Sequence, residues 1–412
     1  MSQPSWAGRW RAADPELKAF LIGLLFLGIN QGILTTAFNN YVSDVFHMSA
    51  SARGALEFPR EFPGFILIFV TGALSALDMR SWAMLVGLLS AVGVAGLGWW
   101  SPSIRVMIVW MLFWSMADHL FMPIESTMGL RLAHAGREGR RLGQISGARN
   151  LAMILGAAVV WLLARSHGPA LYGRMFLAAA LAALCASAAF ARLKEPARPA
   201  SRAPRFVWRK EYHLFYVLNI LFGARKQIFL TFGPWVLVTV FGATPQAMAV
   251  LILVAAVLGV AFRQAFGVFV DRFGERKMFF ADAAILFVIC AGFALATDRR
   301  WLYGLYILDN LMFATRIART TYLDKIAVRK DDIPATLSLG VTLDHLVSMT
   351  VPIAGGALWA ACGYPALFWA ASLVAGAAAL AAWSIPPLAA RPAMGEDGPL
   401  GPGPCGSLDP PV

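Results

Sequence analysis

Fourteen ionisable residues sit inside otherwise apolar stretches of this 412-residue chain: Glu57, Glu61, Asp118, Glu125, Asp282, Asp309 and Asp344, with Arg60, Arg149, Arg225, Lys226, Arg263, Arg316 and Arg319. Burying one such group in a bilayer costs at least ~2.5 kcal/mol on insertion scales, so each needs a partner, a water-filled cavity or a function. The balance of acids and bases points to extensive internal pairing. Asp118 and Glu125 are seven residues apart, two helical turns, and so share one face with Met122 between them; Asp309 and Arg316 repeat the spacing. Carboxylates so placed, with His119 beside them, bind protons or cations, or else form fixed ion pairs with Arg316, Arg225 or Lys226. The adjacent Arg225 and Lys226 set a planar fork of donors beside a point charge. That combination suits an anionic or zwitterionic solute, or serves only to neutralise Asp118 and Glu125. Glu57, Arg60 and Glu61 have i, i+3 and i, i+4 spacing beside Pro59 and Pro63, which reads as an intrahelical charge cluster or as an external gate.

These residues must be positioned by membrane helices. The chain is 58% hydrophobic, only 14% charged, and has a mean hydropathy of +0.64, more apolar surface than a soluble domain of this length hides. A helix needs about 20 mainly apolar residues to cross the hydrocarbon core, where lipid offers backbone groups no partner. Such windows fall near 17–40, 55–77, 82–99, 104–131, 143–164 and 170–192, then 212–240, 246–270, 278–297, 301–323, 336–360 and 364–385. The expected fold is therefore an all-α membrane protein of twelve transmembrane helices. The expected organisation is a cytoplasmic N-terminus (1–16), a six-helix bundle (17–192), a basic Pro-rich cytoplasmic linker (193–211), a second bundle (212–385) and a disordered, Pro- and Gly-rich cytoplasmic tail (386–412). Counted with the residues at the ends of the adjoining spans, the loops on the side of the termini hold 22 Lys and Arg against 6 on the other, which by the positive-inside rule places both termini in the cytoplasm.

The two halves repeat each other. Gly28-Ile-Asn30-Gln31-Gly-Ile-Leu-Thr-Thr36 in the first span lies 195 positions before Gly223-Ala-Arg225-Lys226-Gln-Ile-Phe-Leu-Thr231 in the seventh. Span four repeats in span ten at an offset of 191, matching Asp118 with Asp309, His119 with Asn310 and Glu125 with Arg316. Midplane positions at the repeat interface are where such architectures bind solute, which makes Asn30, Gln31, Arg225, Lys226, Asp309 and Arg316 the expected contacts. Asp118, Glu125, His119, Asp344 and His345 are the candidates for proton coupling. Arg149 and Asn150 of span five and Asp344 and His345 of span eleven lie at similar depth, where a charge pair across the halves would hold one state.

After the eighth span, Gly267-Val-Phe-Val-Asp271-Arg272-Phe-Gly274-Glu-Arg276-Lys277 closely resembles the G-x-x-x-D-R-x-G-R-[RK] loop motif of the major facilitator superfamily. The first-half counterpart keeps only Asp78 and Arg80 and lacks the glycines. The resemblance implies two pseudo-symmetric six-helix bundles, a gating role for these loop residues, alternating access, and function as a monomer in the bacterial inner membrane. A small polar, charged organic solute, moved with protons or by exchange, is the expected cargo.

The net charge of +12 comes from short loops, with no basic stripe or stacking platform for nucleic acid. Cys185, Cys290, Cys362 and Cys405 lack metal-ligand or disulfide spacing. No nucleophile, base and orienter occur together and no phosphate-binding loop is present, so neither an enzyme nor a cofactor is expected. Three alternatives stay open. Multidrug efflux is one, although span five lacks the G-P-x-x-G-G signature. A divalent-metal exporter could use Asp118, His119, Met122 and Glu125 with Asp344, His345 and Met349. The third is a non-transporting membrane sensor or assembly factor.

Overall fold

The structure, a computed structural model, describes residues 14–67, 78–134, 137–165, 170–194, 208–313, 322–323, 325–329 and 332–385. All regular structure among them is helical. In the first half α1 spans Pro15–Phe46, α2 Ala50–Ala55, α3 Glu57–Phe65, α4 Met79–Trp99, α5 Ile104–Arg131, α6 Glu138–Leu163 and α7 Leu171–Phe190. In the second, α8 spans His213–Thr239, α9 Pro245–Leu295, α10 Arg299–Met312 and α11 Asp332–Trp383.

Eight helical segments among the described residues are long and apolar enough to cross a membrane, α11 counting once although it holds two of the expected spans. α9 holds two as well. Helical geometry breaks inside α9 at Gly274 (φ 76°) and inside α11 at Gly363 (φ 82°), a backbone region open to glycine and costly for a side chain. The motif glycine Gly274 therefore sets the turn between spans eight and nine. α8, at 27 residues and about 40 Å, also reaches across a bilayer. Each of the twelve expected windows thus holds a described helix, the second and tenth only the short Glu57–Phe65 and Arg299–Met312. The second is divided into α2 and α3 at Leu56, with Pro63 inside α3.

Helix ends follow elementary capping chemistry. Asp78 caps α4, its Oδ1 accepting from the backbone N–H of Ser81 (2.7 Å) and its Oδ2 from the Ser81 hydroxyl (3.0 Å). Those bonds, the backbone one first, hold its carboxyl below the ordinary aspartate range. Asp78→Ala should cost about 1 kcal/mol at neutral pH, read as a lower melting midpoint in detergent. A depressed folded pKa gives stability that is present above the unfolded value and lost as pH falls through the folded one. The gap between wild type and variant should therefore close at acid pH.

Each half packs as a bundle: α1 lies on α6 and α7 and α4 on α5 and α7, while α11 lies on α8 and α9. Across the halves, α2 and α3 pack on α11 and α6 packs on α9. At the end bearing the α1–α2 and α8–α9 turns the halves are tied together. Asn40 Nδ2 donates to the carbonyl of Ala243 (2.7 Å). A Cβ on Gly54 would fall 2.1 Å from the carbonyl oxygen of Pro352, so only glycine allows this approach of α2 to α11. At the opposite end the described ties stay within each half. Glu16 of α1 pairs with Arg131 and accepts from the backbone N–H of Lys194 (2.9 Å), and Asp332 accepts from Arg209 (2.8 Å) and Tyr212 (3.1 Å).

Candidate functional site

A cavity of about 370 Å³ lies between the halves, lined from α1, α2, α3, α5, α6, α8, α9 and α10. Its two walls differ in chemistry. The first half contributes polar and charged groups: Gln31, Thr35, Asn39, Arg53, Arg60, Asp118 and Asn150. From the second half come Phe229, Leu230 and Pro234 of α8 and the stripe Ile252, Ala255, Ala256, Gly259 and Val260 of α9, with Tyr306, Asp309 and Asn310 of α10 as the polar exceptions. The first half also contributes Leu34, Phe38, Trp114, Met153 and Ile154, so its wall is mixed, whereas the second-half wall is mainly apolar.

At the sealed end of the cavity a charge cluster surrounds Glu57, which is fully buried. Arg53 Nη1 lies 2.6 Å and Arg60 Nη2 2.5 Å from its two oxygens, and Gln227 of the second half donates to it at 3.2 Å. Arg53 also donates through Nε to Asn39 (3.0 Å), and Arg60 bonds the other acid, Glu61, at 2.9 Å. The Arg60 pairs are intrahelical, as the charge-cluster reading expects, and the same acids also reach across the halves, Glu57 to Gln227 and Glu61 to His345. Arg53, which the sequence leaves in a loop, is 3% exposed and belongs to the cluster.

Asp118 faces the cavity, with no base within ion-pair distance among the described residues. Glu125 pairs with Arg149, whose Nη2 also donates to Gln31 (2.8 Å). The sequence expected Glu125 to pair, if at all, with Arg316, Arg225 or Lys226; its partner is instead in the same half. Arg149 and Asp344 do not meet, because Asp344 bonds Lys226 at 2.5 Å. The two interactions are repeat-related: Gln31 and Lys226 are 195 positions apart, and so are Arg149 and Asp344. Lys226 and Asp344 line a second cavity of about 260 Å³ with Phe215, Asn219 and Gly340.

Of the expected solute contacts, Gln31 and Asp309 line the central cavity, whereas Asn30 and Arg225 are turned into the helix packing. Asn30 donates to the carbonyl of Ala179 (2.9 Å) and accepts from Ser90 (3.1 Å). Arg225, 2% exposed, pairs with Asp309. His119 and His345 come together from the two halves, ring centroids 5.1 Å apart, beside Glu61. Arg316 lies outside the described residues, as do the side-chain surroundings of Gly267 and Asp271. Arg276 stacks over Trp383 at 4.6 Å, Arg272 lies 5.4 Å from the Phe273 ring, and Lys277 is exposed.

The chain matches the Major Facilitator Superfamily over residues 20–329. No curated protein matches it in sequence. Among solved structures, a variant of the nucleoside transporter NupG superposes with a TM-score of 0.75 at 15% identity, covering 90% of this chain and 99% of that one. A POT family transporter in complex with 5-aminolevulinic acid gives 0.72 at 11% identity, covering 88% and 94%. The xylose transporter XylE from E. coli, partially occluded and inward open, gives 0.66 at 13%, covering 90% and 98%. At these identities the likeness carries the fold.

Proposed function

The chain belongs to the major facilitator superfamily, and from that premise we propose that it is a secondary active transporter moving a small polar, charged organic solute by alternating access, coupled to protons or to exchange. The observation that carries this reading is the two-walled cavity between halves that are tied together at one end. Its volume suits a small molecule. Arg53, Arg60, Asp118 and Asp309 offer both charge signs, which favours a zwitterion or a polar anion. The apolar α9 wall favours an organic body over a bare inorganic ion. The solutes named for the similar structures, nucleosides, 5-aminolevulinic acid and xylose, are small polar organic molecules, and 5-aminolevulinic acid among them is a zwitterion.

With both termini in the cytoplasm, as the excess of Lys and Arg on that side supports, the tied end faces outward and the protein is closed to the outside. Asp118 is our choice for the coupling proton. It faces the cavity with no described base paired to it, whereas Glu125 and Asp344 are each held by a cation. Arg53, Arg60, Gln31 and Asp309 are the groups we assign to solute contact.

The test pairs binding with flux. Purified protein is melted against organic anions, zwitterions, nucleosides, sugars and organic cations at two pH values, because a ligand that binds only the folded state raises the melting point. A solute that stabilises the protein is then followed into proteoliposomes. Asp118→Asn should keep the stabilisation by solute and lose uptake driven by a proton gradient by on the order of tenfold or more. Equal gradient-driven uptake by variant and wild type would remove Asp118 from the coupling role. Stabilisation by lipophilic cations alone would overturn the charged-solute reading.

A further inference from the structure

Glu61, His119 and His345 come from α3, α5 and α11, two elements of one half and one of the other, and meet at the tied end of the cavity. One ligand atom from each lies within 4.8 Å of the other two. Glu61 Oε2 is 3.2 Å from His345 Nδ1 and 3.8 Å from His119 Nε2. We propose that these three residues form a site for a borderline divalent cation of the zinc type, bridging the halves and holding the tied end shut. None of the three lines the solute cavity, and the site does not depend on which solute is carried.

The donor set and its surroundings both fit. Two imidazoles and one carboxylate, with a fourth position left to water, are a zinc ligand set, whereas calcium and magnesium call for oxygen ligands. Donors held about 2.0–2.2 Å from a tetrahedral zinc lie about 3.3–3.6 Å from one another; the two Glu61 separations, 3.2 and 3.8 Å, bracket that range, and the imidazole nitrogens, within 4.8 Å of each other, close by a rotation of the rings. His119 is already oriented as a ligand. Its Nδ1 donates to the carbonyl of Ser115 at 2.8 Å, which fixes the tautomer and leaves the Nε2 lone pair toward Glu61. Glu61 is held as well: Arg60 binds Oε1 at 2.9 Å and leaves Oε2 to face both imidazoles.

Gly64 is one turn beyond Glu61 in the same helix. A Cβ there would fall 2.4 Å from His119 Cδ2 and 2.5 Å from His345 Cε1, so the absence of a side chain lets both rings close on α3. The local charge also suits a cation. Arg53 and Arg60 are answered by Glu57 and Glu61, and Asp118, next to His119 in sequence, adds one further acid with no described base paired to it.

The experiment uses the full chain in detergent, freed of metal by chelator and titrated with Zn2+ or Co2+. Zinc is expected to raise the melting midpoint of the wild type with one equivalent bound. The zinc affinity should fall by on the order of tenfold or more in His345→Gln, in His119→Gln and in Gly64→Ala, the last keeping every ligand and displacing the rings. Should a variant fail to fold, the Co2+ spectrum of the wild type decides alone. Intense visible bands of a tetrahedral nitrogen and oxygen site, without thiolate charge transfer, support the assignment; weak octahedral bands or no binding overturn it. Equal zinc stabilisation in all four proteins also overturns it by placing the metal elsewhere.

Discussion

Asp309→Leu should destabilise the protein more than Arg225→Met, and the two together should cost less than either alone. The ion pair they form is buried on both sides, each side chain 2% exposed, between α8 and α10. Removing one partner of such a pair costs about 3–5 kcal/mol, because the remaining charge is left in a low dielectric. The two remainders are not equivalent. An aspartate without its arginine can take up a proton and become neutral, and Asp309 borders the cavity from which that proton comes. A guanidinium has no such escape, since arginine stays protonated in proteins.

Arg225 is also incompletely satisfied: its Nε and Nη2 have no hydrogen-bond partner among the described residues. Replacing both partners by apolar side chains then removes desolvation costs that the pair only partly offsets, and the double variant should return toward wild-type stability. Thermal unfolding of the four proteins as a double-mutant cycle checks this. A double variant that sums the single costs would show that the charges do not act as a pair, and equal costs for the two single variants would show that the aspartate left behind is not relieved by protonation. Transport separates the two roles of Asp309. If it contacts solute, the double variant recovers its melting point and not its flux.

The same pair shows what the sequence could and could not deliver. The spans were legible because hydropathy over about 20 residues is a local property fixed by bilayer thickness. The repeat was legible too, since Gln31 with Arg149 and Lys226 with Asp344 occupy positions related by one offset, although each pairing needed the fold to be seen. Which way a midplane residue faces was not legible. Helices such as α1 and α8 are apolar on all sides, so periodicity does not separate the cavity face from the packing face. That is why Asn30 and Arg225 read as solute contacts and lie in the helix packing instead. The meeting of Glu61, His119 and His345 was beyond spacing rules, because His345 lies 284 positions from Glu61. Arg53 is hidden from hydropathy for a simpler reason: α2 begins at Ala50, five residues before the hydrophobic window, and draws the arginine inside.

Glu57→Gln should open the tied end. In the present state one buried carboxylate neutralises Arg53 and Arg60 and accepts from Gln227 across the halves. The amide keeps the shape and removes the charge, leaving Arg60 to Glu61 and Arg53 with only the neutral amide oxygens of residue 57 and Asn39. An arginine 3% exposed and without a counter-ion penalises this state far more than one in which the end has parted and water reaches it. Hydrogen bonds to charged groups contribute about 1.5–3 kcal/mol, and each 1.4 kcal/mol shifts a two-state equilibrium about tenfold. The open-end population should therefore rise by roughly ten- to a hundredfold. A cysteine placed at Thr35, which is exposed to the cavity, reports it in a background without the native cysteines. A membrane-impermeant maleimide applied from the side opposite the termini should label Thr35→Cys faster by that factor when Glu57→Gln is present. Gln227→Ala, which removes the tie across the halves and leaves both arginines paired, should produce a smaller increase. If the double-substituted protein melts as a folded species and its labelling rate is unchanged, Glu57 organises the local helix without biasing the two states.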